Sequence, residues 1–176
     1  MEAKQWTFVD KTKWPAGEWL NEPDKMQWTD EATGLPCLIH RGPSGALCGY
    51  VGVSETHPWF QKEYSKPLDS TISDESDTYW QAARPESVIS VHGGLTFSSM
   101  CGGMDEATGR GVCHVPASGE PEHVWWFGFD CAHSGDFCPS YERFFEWGSS
   151  YRDLSYVQGE VANLAAQLHA LAGAPA

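Results

Sequence analysis

The chain of 176 residues carries 24 acidic against 11 basic side chains, a formal charge of −13, and is 41% hydrophobic, with nine tryptophans, eight phenylalanines and six tyrosines. That apolar content suffices for one domain with a sizeable core and excludes wholesale disorder. The few scattered cations leave no basic field to gather phosphate backbones, so general nucleic-acid binding is disfavoured.

In chain order, Trp6-Thr7-Phe8-Val9 reads as a short strand, followed by a proline- and tryptophan-containing stretch with Trp14, Trp19 and Trp28. Residues 35–41 and 46–53 are apolar runs on either side of Gly42-Pro43-Ser44-Gly45, the pattern of a β-hairpin. Residues 66–78, KPLDSTISDESDT, read as an acidic surface loop. In SVISVHGGLTF, residues 87–97, the branched side chains of Val88, Ile89 and Val91 predict a strand that ends or bulges at His92-Gly93-Gly94. Residues 123–129 form a second strongly apolar strand, which delivers GFDCAHSGDFCP, residues 128–139. The pentapeptide Asp-Glu-Ala-Thr-Gly occurs at 30–34 and 105–109 with unlike flanks, which predicts one turn chemistry used twice and no repeat architecture. Leu154, Val157, Val161, Leu164, Leu168 and Leu171 recur at helical spacing, predicting a helix from near Asp153 to just before Gly173, with Ser155 and Gln158 as a capping box if it starts slightly later.

The expected fold is α+β: a single domain over residues 1–176 with its core at about 35–171, and a mainly antiparallel sheet with the C-terminal amphipathic helix packed on one face. No apolar run approaches the ~20 residues of a membrane span, and Met1-Glu2-Ala3-Lys4-Gln5-Trp6 lacks the order of a secretion signal, so a cytoplasmic protein without membrane partners is expected. Cys37, Cys48, Cys101, Cys113, Cys131 and Cys138 are accordingly expected as free thiols. With no Cys-x2-Cys pair a zinc knuckle is unsupported, and Cys101 with Cys113-His114 is a minor metal candidate.

The chemistry concentrates in FDCAHSGD. Asp130, His133 and Asp136 follow one another at three-residue spacing, with Gly135 permitting a tight bend. Joined by His92 from the other glycine-bearing strand end, they make a ligand set for Zn, Mn or Fe with an open position to activate water. Gly93 and Gly94 would let a substrate approach the backbone, and Trp59, Trp80 and Trp126 offer rings for a nucleobase. Arg41 and Arg84 are isolated cations that would meet a phosphate. Each residue also has a plain packing role: a histidine bonded to backbone, an aspartate capping its own turn, a cysteine filling the core.

The histidine-bearing VHGGLTF followed by FDCAH is loosely similar to the order found in permuted papain-like thiol hydrolases. That resemblance implies His92 as base, Cys131 as nucleophile and His133 or Asp130 as orienting group, although Ser134, Gly135 and Asp136 start no helix behind the cysteine. LCGYVGV, HPWF, SVHGGLTF, WWFGFDCAHSGD and YRDLSYVQGEVANLAAQL together resemble an uncharacterised family of bacteriophage and bacterial proteins, over about residues 35–168. The resemblance implies a phage context, with the host cytoplasm as compartment, and no activity. The expectation is a metal-dependent hydrolase of a small phosphorylated or nucleotide-like substrate. Its alternative is a non-catalytic phage-encoded binding protein, either a nucleotide-signal sponge or an inhibitor of a host defence protein.

Overall fold

The computed structural model describes residues 3–103, 105, 110–116, 118–141 and 148–173. Its strands are β1 (Lys4–Trp6), β2 (Lys25–Thr29), β3 (Pro36–Arg41), β4 (Leu47–Val53), β5 (Phe97–Met100) and β6 (Trp125–Asp130), with helices α1 (Pro85–Val88) and α2 (Leu154–Ala172). The six strands form one antiparallel sheet in the order β1-β2-β3-β4-β6-β5, and α2 packs across one face: a single α+β domain. Among the described residues no helix is long and apolar enough to cross a membrane.

Alternation along the central strands fills both faces of the sheet. Ile39, Leu47, Val51, Phe127 and Phe129 meet Val157, Val161, Leu164 and Leu168 of α2, while Leu38, Tyr50, Val124 and Trp126 form a separate cluster on the opposite face. Each large apolar side chain buried this way contributes on the order of 2 kcal/mol before entropy is charged. Gly49 keeps the helix close, because a Cβ there would stand 2.6 Å from Val161 Cγ2 and 2.5 Å from Phe129 Cζ. The β3–β4 hairpin closes through Gly42 N donating to Ala46 O at 2.9 Å, with Gly45 at φ +83°, a conformation that favours glycine. The first Asp-Glu-Ala-Thr-Gly is a turn in which Asp30 Oδ1 accepts from Thr33 N at 2.9 Å and Thr33 Oγ1 at 2.7 Å. Residues 106–109 of the second copy lie outside the described residues.

Several elements depart from the sequence reading for identifiable reasons. Strand β1 ends at Trp6 because the N–H groups of Phe8 and Val9 turn aside to donate to Asp24 Oδ2, both at 2.8 Å. Strand β2 was hidden by its polar residues. Lys25 and Gln27 face the second side of the sheet, where Lys25 Nζ donates to Gly111 O at 3.0 Å and Cys113 O at 2.7 Å, and Gln27 exchanges two bonds with Val115 at 2.7 and 2.9 Å. Residues 110–116 thereby strap that face, with the His114 ring 5.4 Å from that of Trp126. Val88 closes a helical turn, and no ladder strand runs over Val88–Val91; the sheet resumes at Phe97. Helix α2 starts at Leu154, capped by Asp153 Oδ1 accepting from Tyr156 N at 2.7 Å, so the Ser155–Gln158 box is not used.

The strap also returns Cys113 to Cys101, just past β5. The two are joined as a disulfide with Cα atoms 4.9 Å apart, which corrects the expectation of free thiols for this pair and removes both sulfurs from any metal site with His114. Cys37, Cys48, Cys131 and Cys138 are free.

Candidate functional site

His92 owes its place to the outer side of α2. After α1, residues 89–94 run without joining the sheet, and the backbone groups of Ser90 and the N–H of His92 are taken up by a row of helix side chains. Gln167 Oε1 accepts from Ser90 N and its Nε2 donates to Ser90 O, both at 2.9 Å, while Asn163 Nδ2 donates to the same carbonyl at 3.0 Å. One turn closer to the N-terminus Glu160 Oε2 accepts from His92 N at 2.8 Å, and the Tyr156 hydroxyl lies 3.0 Å from His92 Nδ1. Positions 156, 160, 163 and 167 share one helical side, so this seam fixes the loop as a unit. Gly93 and Gly94 then reverse the chain at φ +66° and +84°, and a Cβ on Gly93 would stand 2.1 Å from Cε1 of the His133 ring.

The second half of the site follows β6. Asp130 Oδ1 accepts from Ala132 N at 3.0 Å and its Oδ2 from Thr96 Oγ1 at 2.9 Å. A turn closed by Asp136 N donating to His133 O at 2.9 Å, with Gly135 at φ +89°, folds Asp136 inward. Its Oδ2 shares a 2.7 Å hydrogen bond with His92 Nε2 and accepts from His133 N at 3.1 Å, while Oδ1 accepts from Arg152 Nε at 2.9 Å. Burial pushes the Asp136 carboxyl up, but the hydrogen bonds from His92, Arg152 and the His133 backbone more than reverse this and hold it below the ordinary carboxylate range.

His92, His133 and Asp136 each bring one potential ligand atom within 4.8 Å of the other two. The rings of His92 and His133 meet edge-on, with centroids 5.6 Å apart. His133 Nδ1 is buried and has no hydrogen-bond partner. It faces Asp130 Oδ1 at 3.7 Å and Asp136 Oδ2 at 3.8 Å, both beyond hydrogen-bond reach. Two histidines with a carboxylate suit Zn, Mn or Fe. The Tyr156 bond to the far nitrogen of His92 and the Arg152 bond to the far oxygen of Asp136 are the outer contacts that orient such ligands. The side chains of His133 and Asp130 are 33% and 34% exposed, so solvent reaches this side of the cluster.

The other residues singled out in the sequence lie elsewhere or are occupied. Cys131 is 1% exposed within the helix-side core, and burial, with the charges of Asp136 and Asp130 adding to it, pushes its thiol far up, so no accessible thiolate is offered. Trp126 is fully buried on the opposite face, and Trp59 is buried with its ring 6.0 Å from Phe127. Trp80 is exposed, but it stands over Arg84, whose guanidinium donates to the carbonyls of Ser65, Tyr79 and Ala82. Arg41 is buried against Asp24 at 2.9 Å and Glu22 at 3.1 Å. Sequence reasoning passed over Arg152, which lies just ahead of α2, and Tyr156 and Glu160, whose only mark is a polar row on the side of the helix that reads as solvated. Comparison of the chain with protein-family models, curated proteins and solved structures returned no match.

Proposed function

We propose that the protein is a metal-dependent hydrolase of a small phosphorylated or nucleotide-like substrate, with His92, His133 and Asp136 holding a divalent zinc, manganese or iron ion. The observation that carries this reading is the buried, unpartnered Nδ1 of His133, facing carboxylate oxygens 3.7 and 3.8 Å away. An ion about 2.1 Å from nitrogen and oxygen spans such a gap. A bound ion would replace the proton now shared between His92 Nε2 and Asp136 Oδ2 at 2.7 Å. Three protein ligands leave a position for water, which the ion makes acidic enough to attack at neutral pH. Asp130, beside His133 and a third exposed, is the base that receives the proton.

The experiment is elemental analysis of untagged protein alongside His133→Ala, followed by phosphoester turnover. Close to one metal per chain in the parent, lost in the variant while the melting temperature holds, is the expected result. No metal after reconstitution with each of the three ions overturns the reading.

One observation favours a second reading: Asp136 is already satisfied by His92, His133 N and Arg152 with no ion present. In that case the protein is a non-catalytic ligand sponge or inhibitor of a host protein. Alanine at His133 then leaves a stoichiometric inhibitory effect intact.

A further inference from the structure

Arg152 stands apart from the other cations near the core. Its Nε is bonded to Asp136 Oδ1 at 2.9 Å and its guanidinium carbon lies 4.9 Å from the Tyr156 ring centroid. Its two terminal nitrogens meet no acceptor among the described residues, and its side chain is 31% exposed. Asp136 and Tyr156, the groups that hold it, both also touch His92, so a free pair of N–H donors is fixed at the rim of the cluster. The local charge is nearly balanced: Asp130, Asp136 and Glu160 together offset a divalent ion and the guanidinium. The chain as a whole, at a formal charge of −13, opposes anions.

We propose that the substrate is a phosphodiester carrying one negative charge, and that Arg152 receives one of its two non-bridging oxygens. This inference rests on the metal-hydrolase reading. A diester presents two such oxygens, one for the ion's open position and one for the terminal nitrogens of Arg152. A phosphomonoester brings, above its second pKa of about 6, a second negative charge into a site whose charges are already offset, within a chain of net charge −13. In the step itself water gives one proton to Asp130 and its oxygen bonds to phosphorus. The bond from phosphorus to one ester oxygen breaks, and that oxygen leaves as the alcohol with the proton from Asp130. The products are a phosphomonoester and an alcohol, with nothing oxidised or reduced.

The test compares bis(p-nitrophenyl) phosphate with p-nitrophenyl phosphate at pH 8 on metal-loaded protein, because the leaving group is the same. Diester kcat/KM at least about tenfold above monoester is expected, and Arg152→Lys, which loses the fork, raises diester KM about tenfold when parent and variant are both compared at saturating metal, since Arg152 also orients Asp136. Monoester preference with metal bound overturns the diester inference and leaves the hydrolase reading standing. An unchanged KM in Arg152→Lys overturns the role of Arg152. Bound metal with neither ester cleaved overturns the hydrolase reading itself, and absence of metal overturns its foundation.

Discussion

His92 and Asp136, 44 positions apart in the chain, share a 2.7 Å hydrogen bond that ties the loop held by α2 to the turn that follows β6. In metal-free protein a double-mutant cycle on His92→Ala and Asp136→Asn is expected to give a coupling of about 1–3 kcal/mol in urea unfolding. Additivity within a few tenths would show that the contact carries nothing.

Gly93 faces the His133 ring at φ +66°. Gly93→Ala therefore costs about 1–2 kcal/mol in backbone strain alone, and the added methyl displaces the imidazole. Metal uptake is expected to fall well beyond what the small drop in melting temperature implies, which elemental analysis beside calorimetry would show.

Asp24 gives the pH dependence a definite sign. Its carboxylate meets Lys11 Nζ at 2.8 Å and Arg41 Nε at 2.9 Å. Burial pushes its carboxyl up from the ordinary 3.8, but hydrogen bonds from Lys11 and from the backbone of Val9 and Phe8 outweigh it and leave the value lowered. The unfolded chain then binds more protons than the native state in acid. The stability Asp24 supplies is complete above that ordinary value and drains away as pH falls through the lower folded one. Asp24→Asn is expected to cost about 3 kcal/mol at pH 7, since it strands buried positive charge. The gap from the parent should narrow when the urea midpoints are compared again at pH 3.

Thiol chemistry separates the cysteines. Protein unfolded without reductant should titrate with a thiol reagent at Cys37, Cys48, Cys131 and Cys138 alone, and reduction should add Cys101 and Cys113. Closing a loop of sequence separation 12 stabilises by roughly 2–3 kcal/mol, so reduction should lower the melting temperature. Native protein should resist iodoacetamide at Cys131; rapid alkylation there would revive the thiol-hydrolase alternative.

What the sequence discloses depends on where polar side chains are spent. The β3–β4 hairpin, β6 and α2 are legible because apolar residues run unbroken along the strands and recur at helical spacing in α2, with glycines punctuating the hairpin turn. Strand β2 is not legible, because its Lys25 and Gln27 are buried against carbonyls 86 to 88 positions away, a pairing no local pattern encodes. Strand β5, with Ser98 and Ser99 at its centre, is too polar and short to announce itself. For the site, glycines beside His92 and Asp136 mark chain reversals that can bring side chains together. The means of holding His92 is invisible: Tyr156, Glu160, Asn163 and Gln167 look like ordinary solvated helix residues until the loop they bind is in place.

Gly49 sets the height at which α2 rides over the sheet, and the seam that fixes His92 is carried on the flank of that helix. A methyl group added on the sheet would lift the helix and His92 with it, while Asp136 is held both by its turn after β6 and by Ser150 and Arg152 just ahead of the helix, so the two sides of the contact would shift by different amounts. Gly49→Ala is thus a remote lever on the cluster: it touches none of the ligand atoms, yet it alters their spacing.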